Sequence, residues 1–282
     1  MTVEYRQKYS SFLKVGNESE YLEGTLSDQA VILIHGFMAS PFEVKEVALK
    51  LNSLGYTVYM PLLYGFGADL KTANEAKLEI WKRQIKESVE KLSHCYKKIS
   101  IGGISLGAAL ATDYVLNNNA KNITSLILLS PYFDVSHSVA KLLIGPLSNI
   151  TNSVDLSTLY TISRSLDLIE VLKNKTYYVD AMPFFALQEI FKLSNELLIK
   201  KSSKLISIPV LVAKSDADTT IDLNQVISLP QKHFKDISYF NIEKSMKVPH
   251  QITYEIANPK FKEMMRKMIN VIRKGSYQSQ TE

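Results

Sequence analysis

The sequence predicts an α/β fold, with a mostly parallel central sheet and helices on both faces. Three observations carry that prediction. Short runs rich in β-branched and aliphatic residues at 30–34, 56–60, 99–102 and 125–130 alternate with segments whose apolar residues recur at helical spacing. The runs at 30–34 (AVILI) and 125–130 (SLILLS) are apolar at consecutive positions, the pattern of a strand covered on both faces. Between the strand at 99–102 and an Ala/Leu-rich helix running to 116 lies Gly103-Ile104-Ser105-Leu106-Gly107, a G-x-S-x-G pentapeptide.

Residues 1–29 read as a lead-in with an edge strand at 20–24. The strand at 30–34 is closed by His35-Gly36-Phe37-Met38. Ser40 is placed to cap the next helix, with Pro41 at its first position and Glu43 completing a capping box. Val44, Val47, Ala48, Leu51 and Leu54 form the inward stripe of that helix, and Gly55 stops it. After the strand at 56–60 comes a loop over 61–67. A long helix over 75–94 follows, with Leu78, Trp81, Ile85, Val89 and Leu92 on one face. Pro131 ends the regular alternation. Residues 131–205 read as a helical cap inserted into a core of 1–130 and 206–282. The segment 180–199 is rich in large apolar residues (Phe184, Phe185, Leu187, Ile190, Phe191), and the alternative is that these are ordinary core helices. Alternation returns with a strand at 208–212, a short helix at 223–229 and a strand at 237–242. The final helix, at 258–273, turns Phe261, Met265, Met268 and Ile272 inward. Residues 275–282 read as a frayed polar tail.

Composition bounds the rest. The chain has 282 residues, 46% hydrophobic and 22% charged, with a net charge of +5, ordinary for a soluble globular protein of one large or two small domains. Its lysines are scattered rather than blocked, so no nucleic-acid partner is expected. The single Cys95 rules out an intrachain disulfide and reads as a partly buried, inert thiol. The first ten residues lack the apolar core of a signal peptide, and no run of 18 apolar residues exists. The expectation is a cytoplasmic protein with no stable membrane insertion. No metal or cofactor is expected: there is no H-E-x-x-H, no Cys pair and no phosphate-cradling glycine loop.

The pentapeptide alone is a weak signal, since about one random chain in ten of this length contains it. Its context strengthens it. A serine on a sharp strand-to-helix turn projects its hydroxyl from the sheet edge, and the flanking glycines let the backbone bend. Such a hydroxyl needs a base, a group orienting that base, and donors for an oxyanion. Five histidines are available. His35 belongs to the His-Gly strand end and shapes that loop, His94 ends a helix, His137 lies in the insert, and His233 lies on a polar helix end. His250 alone follows the last strand, which makes it the expected base. The orienting acid should follow the strand before it, where Asp216, Asp218 and Asp222 lie. Asp222 begins a helix and reads as its cap; Asp218 is preferred, with Asp216 the alternative. The expected oxyanion donors are the main-chain N–H groups of Leu106, after the serine, and Phe37, just past His35-Gly36.

These residues carry a resemblance. His35-Gly36-Phe37, the loop from Pro61 to Gly67, Gly103–Gly107, Ser215–Asp218 and Pro249–Thr253 together resemble α/β-hydrolases of the bacterial carboxylesterase and monoacylglycerol-lipase type, over about 30–270 of the chain. The resemblance implies Ser105, Asp218 and His250 as a triad, Phe37 and Leu106 as oxyanion donors, and a cap between 131 and 205. It implies a serine hydrolase of short-to-medium acyl esters or monoacylglycerols acting through an acyl-enzyme. Alternatives are a thioesterase, an amidase or peptidase, an acyltransferase, or a non-catalytic ligand receptor on the same fold. The chain departs from the pattern at Gly65-Phe66-Gly67, where relatives often carry G-H-G, and at Pro249, where they often carry Gly. Both departures bear on the shape of the pocket.

Overall fold

The computed structural model describes residues 16–118, 121–135, 153–155, 181–202 and 204–278. Nine strands occur among them: β1 (Glu20–Leu22), β2 (Gln29–Ile34), β3 (Thr57–Met60), β4 (Lys98–Ile104), β5 (Ile123–Leu129), β6 (Ser153–Asp155), β7 (Ala181–Pro183), β8 (Ile206–Ser215) and β9 (Phe234–Ile242). Seven form one sheet in the order β1-β3-β2-β4-β5-β8-β9, and β6 and β7 pair separately. Only β1 runs antiparallel in the large sheet; every other pairing there is parallel. The α-helices are α1 (Lys45–Asn52), α2 (Leu70–Asn74), α3 (Leu78–Ser93), α4 (Leu106–Asn117), α5 (Phe184–Ile199), α6 (Leu223–His233) and α7 (Phe261–Gln278).

The continuous apolar runs have the physical meaning the sequence suggests. Alternate side chains of a strand point to opposite faces, so a strand covered on both faces must be apolar at every position. In β2, Ala30, Ile32 and Ile34 enter one core and Val31 and Leu33 the other. In β8, Val210 and Val212 divide from Leu211 and Ala213 in the same way. The first core is closed by residues of α3, α4, α5 and α6, among them Trp81, Ile85, Leu193 and Val226. The second is closed by α1 and α7, through Val47, Leu51, Met264, Met268 and Ile272. Trp81 anchors the first core: fully buried, it stacks on Phe66 at 5.5 Å and donates from Nε1 to the Tyr64 carbonyl at 2.8 Å. Full burial of one such side chain contributes roughly 1.5–3 kcal/mol.

Several local expectations are corrected. Ser40 is extended and makes no side-chain cap; a 3₁₀ turn over Pro41–Val44 comes first, and α1 starts only at Lys45. The Glu43 carboxylate bonds Gly36 rather than closing a capping box. The helix expected over 75–94 is α3, which starts only at Leu78; an unexpected short helix, α2, precedes it, capped by Asp69, which accepts the Thr72 N–H at 2.8 Å. Residues 275–278 of the expected tail are helical, because α7 runs through Gln278. Gly275 is there for close approach, since a Cβ would lie 2.0 Å from the Thr124 carbonyl oxygen of β5. Cys95 is exposed, not partly buried. α5 packs its Ala186, Leu187, Ile190, Leu193 and Leu197 into the first core beside α3 and α4. Most of the 131–205 segment, with His137, lies outside the described residues, as does 279–282.

Parallel pairing decides where chemistry can gather. The carboxyl ends of β2, β3, β4, β5, β8 and β9 all lie along one edge, so the loops that follow them meet there.

Candidate active site

Backbone strain marks that edge. Among the described residues, four non-glycine residues have positive φ: Met38 (61°), Ser105 (54°), Ser130 (38°) and Lys247 (52°). Each lies in the connection just after β2, β4, β5 or β9, at the carboxyl end of its strand. A side chain in this region costs of order 1–3 kcal/mol and persists only where surrounding structure holds it.

Ser105 is held most tightly. Its φ of 54° and ψ of −117° put it on a sharp turn between β4 and α4. Its N–H donates to the Leu129 carbonyl at 3.0 Å, and its own carbonyl accepts from Tyr132 N–H at 3.1 Å and from Ala109 N–H at 3.1 Å. Gly103 and Gly107 are required by contact rather than by φ. A Cβ at Gly103 would lie 2.2 Å from the Ile34 carbonyl oxygen, and one at Gly107 would lie 2.1 Å from the same atom. The elbow is thus pressed against the end of β2. The serine remains half-buried rather than enclosed, and α4 begins at Leu106, whose N–H is among the free donors of that helix terminus.

The loop after β2 is braced on both sides of Gly36. Leu63 N–H donates to His35 Nε2 at 3.0 Å, so the imidazole carries its proton on Nδ1. That Nδ1–H donates to the Gly36 carbonyl at 2.8 Å. Burial pushes the His35 pKa down to about 4, against the pull of the Gly36 carbonyl, so the ring stays neutral in this role. On the other side, Gly36 N–H donates to Glu43 Oε2 at 2.6 Å. A trans peptide points its N–H opposite to its carbonyl. Fixing the Gly36 carbonyl therefore fixes the Phe37 N–H as well. A Cβ on Gly36 would lie 3.3 Å from Ser105 Cβ, so this loop packs directly on the elbow. The Phe37 ring packs edge-on against Phe66 at 5.4 Å, which places the Gly65-Phe66-Gly67 loop under the same wall.

Asp218 and His250 meet. His250 Nδ1 and Asp218 Oδ2 are 2.6 Å apart, and both side chains are buried. The second oxygen of Asp218 accepts the Thr220 N–H at 2.8 Å. Burial alone would raise the Asp218 pKa, but the facing imidazole and the Thr220 and Ile221 N–H groups outweigh it and hold the carboxyl low. Burial would lower the His250 pKa, but Asp218, its hydrogen bond and Glu43 outweigh it and hold the imidazole high. His250 Nε2 is buried and makes no hydrogen bond to any described residue, so the Ser105 hydroxyl is not bonded to it in this conformation. Such bonds are often long until a ligand is seated.

The other two acids go elsewhere. Asp216 pairs with Lys214, and its side chain is 40% exposed. Asp222 caps α6, accepting Asn224 N–H at 2.8 Å and Gln225 N–H at 3.3 Å. His233 bonds Ser202, and His94 ends α3. Among the described residues, no group of three His, Cys, Asp or Glu is arranged to hold a metal ion, and no helix is long and apolar enough to cross a membrane. Sequence reasoning missed the role of Glu43; its signal, an acid three residues after a serine, is the same as that of a capping box.

A doubly covered parallel sheet, a strained serine at its carboxyl edge and a buried Asp–His pair from its last two strands define an α/β-hydrolase. The chain belongs to the serine aminopeptidase S33 family (Hydrolase_4), which it matches over residues 26–255. It is 32% identical over 85 residues to a carboxylesterase of Bacillus subtilis (strain 168), a match covering 30% of this chain and 35% of that protein. It is 29% identical over 80 residues to a thermostable monoacylglycerol lipase of Bacillus sp. (strain H-257), covering 28% of this chain and 32% of that one. The chain thus aligns with about a third of the length of these two relatives. The crystal structure of a monoacylglycerol lipase from Paleococcus ferrophilus shares the fold, with a TM-score of 0.70 at 18% identity over 91% of this chain and 98% of that one.

Proposed function

We propose that this protein is a serine esterase that cleaves carboxylic esters with short-to-medium acyl chains, or monoacylglycerols, through an acyl-enzyme. The observation that carries this reading is the buried 2.6 Å pair of Asp218 and His250, on the same sheet edge as the strained Ser105. Asp218 holds the proton of His250 on Nδ1, leaving Nε2 free to accept one. Ser105 Oγ attacks the ester carbonyl as its proton passes to Nε2. The resulting oxyanion rests on the N–H groups of Leu106 and Phe37; losing one such donor typically costs about 2.7–4 kcal/mol of barrier. His250 then protonates the leaving alcohol. Water, deprotonated by the same imidazole, releases the acid and restores Ser105. No external cofactor enters these steps. We read residues 131–205 as a cap that supplies apolar surface to the acyl chain, a reading supported by the break in the sequence's strand–helix alternation after β5.

The relatives with named substrates support the ester, whereas the family's description as an aminopeptidase favours a peptide bond at the same centre. Rates on p-nitrophenyl esters of graded acyl length, a monoacylglycerol, an acyl-CoA and an aminoacyl-p-nitroanilide separate them. The esterase reading expects kcat/KM on the best ester or monoacylglycerol to exceed that on the anilide and the thioester by at least about 100-fold, close to 3 kcal/mol of transition-state preference. A faster anilide than ester overturns it.

A further inference from the structure

Glu43 is buried, at 4% exposure, with no Lys or Arg paired to it among the described residues. An acid in that position needs an explanation, because a buried carboxyl is costly without a partner. Its partners are both in the candidate site. Oε2 accepts the Gly36 N–H at 2.6 Å, reaching back seven residues from the 3₁₀ turn. It also lies within electrostatic reach of His250. Gly36 in turn is wedged between Glu43 and Ser105: a Cβ there would lie 3.0 Å from Glu43 Oε2 and 3.3 Å from Ser105 Cβ. Glu43 thus touches the loop expected to donate to the oxyanion and also lies within electrostatic reach of the expected base.

We infer that Glu43 is a positioning residue: it fixes the His35–Gly36 peptide by its N–H, next to the Gly36–Phe37 peptide that His35 fixes by its carbonyl, and presents a second acidic group to His250. The inference rests on the esterase reading above. A neutral acceptor would serve Gly36 equally well; what the acid adds is a charge that strengthens with deprotonation while His250 is protonated. Burial pushes its carboxyl up to about 7, against the Gly36 N–H and His250, which pull it down. The other titratable groups around this pair are Asp218, held low by its bond to His250, and His35, held neutral by burial.

Two variants separate the hydrogen bond from the charge. Glu43→Gln keeps an acceptor for Gly36 N–H but removes the charge. Glu43→Ala removes both. Each is compared with wild type for kcat and KM on the best p-nitrophenyl ester, for the acid limb of kcat/KM, and for melting temperature. Glu43→Gln is expected to keep kcat within about threefold of wild type. Its acid limb moves to lower pH, because His250 loses a facing carboxylate. Glu43→Ala is expected to lower kcat by about 10- to 100-fold with little change in KM, since the loop acts on the transition state. A purely structural role would lower the melting temperature of both and leave the limb in place. An unmoved limb in Glu43→Gln, or a Gln variant as impaired as Ala, overturns the inference; if the Ala variant does not fold, the Gln limb still decides. Failure of the esterase reading looks different: wild type would then lack Ser105-dependent ester turnover altogether.

Discussion

Replacing Asp218 by Asn changes almost no volume and breaks one function, and the structure fixes which way the amide must face. Asp218 Oδ1 already takes the Thr220 N–H at 2.8 Å, and Ile221 N–H bonds the same carboxylate. Only an oxygen can satisfy those donors. The Asn oxygen is therefore drawn to the turn, and its NH₂ is directed at His250 Nδ1, where the carboxylate oxygen stood at 2.6 Å. The imidazole must then accept at Nδ1 and carry its proton on Nε2, facing Ser105 as a donor. That is the wrong tautomer for a base. A tautomer error of this kind lowers kcat by about 10⁴-fold, close to 5.5 kcal/mol at 1.36 kcal/mol per tenfold. Hydrolysis of a p-nitrophenyl ester under saturating substrate, with circular dichroism to verify folding, measures it. Asp216→Asn is the control: that side chain is half-exposed and bonded to Lys214, so kcat should stay within about threefold. A folded Asp218→Asn within tenfold of wild type, or an Asp216→Asn that is the more damaged, refutes the reasoning.

Other outcomes follow from the same contacts. Ester turnover should fall as pH drops, because protonated His250 cannot take the Ser105 proton; Asp218 and Glu43 hold its pKa up against burial, so the midpoint of kcat/KM should lie above the ordinary histidine value of about 6.5. A midpoint at or below that value contradicts the electrostatic account. Gly107→Ala would bring a Cβ to 2.1 Å from the Ile34 carbonyl oxygen and 2.7 Å from that of His35, both main chain, so it should destabilise by roughly 3 kcal/mol or more and lower the melting temperature by about 10 °C. Asp222→Ala removes only the cap of α6 and should cost about 1 kcal/mol in denaturant unfolding, with kcat unchanged.

How much of this was legible in the sequence depends on the range of the interaction. The elbow was readable because strand, turn and helix are contiguous, and the two glycines that press on Ile34 lie within the pentapeptide. The meeting of Asp218 with His250 could be anticipated from strand order alone, since loops after β8 and β9 must reach the same edge. The choice between Asp216 and Asp218 could not be read with the same force. They are two residues apart in one turn, and only the tertiary placement of Lys214 and Thr220 separates them. Glu43 misled because a capping box and a brace on a distant loop use the same residue type at the same spacing. Gly275 misled for a related reason: a glycine near a helix end reads as a stop, whereas here it lets α7 approach the backbone of β5. The short α2 escaped notice because five residues carry too little periodicity to register.

The most direct measurement is covalent capture of the nucleophile. Wild-type protein treated with a fluorophosphonate, followed by intact-mass and peptide mass spectrometry, should carry one adduct, on Ser105. Ser105→Ala should carry none and should hydrolyse esters at no more than about 10⁻³ of the wild-type rate. Labelling that persists undiminished in Ser105→Ala, or ester turnover by a wild-type protein that Ser105→Ala matches, would contradict the account.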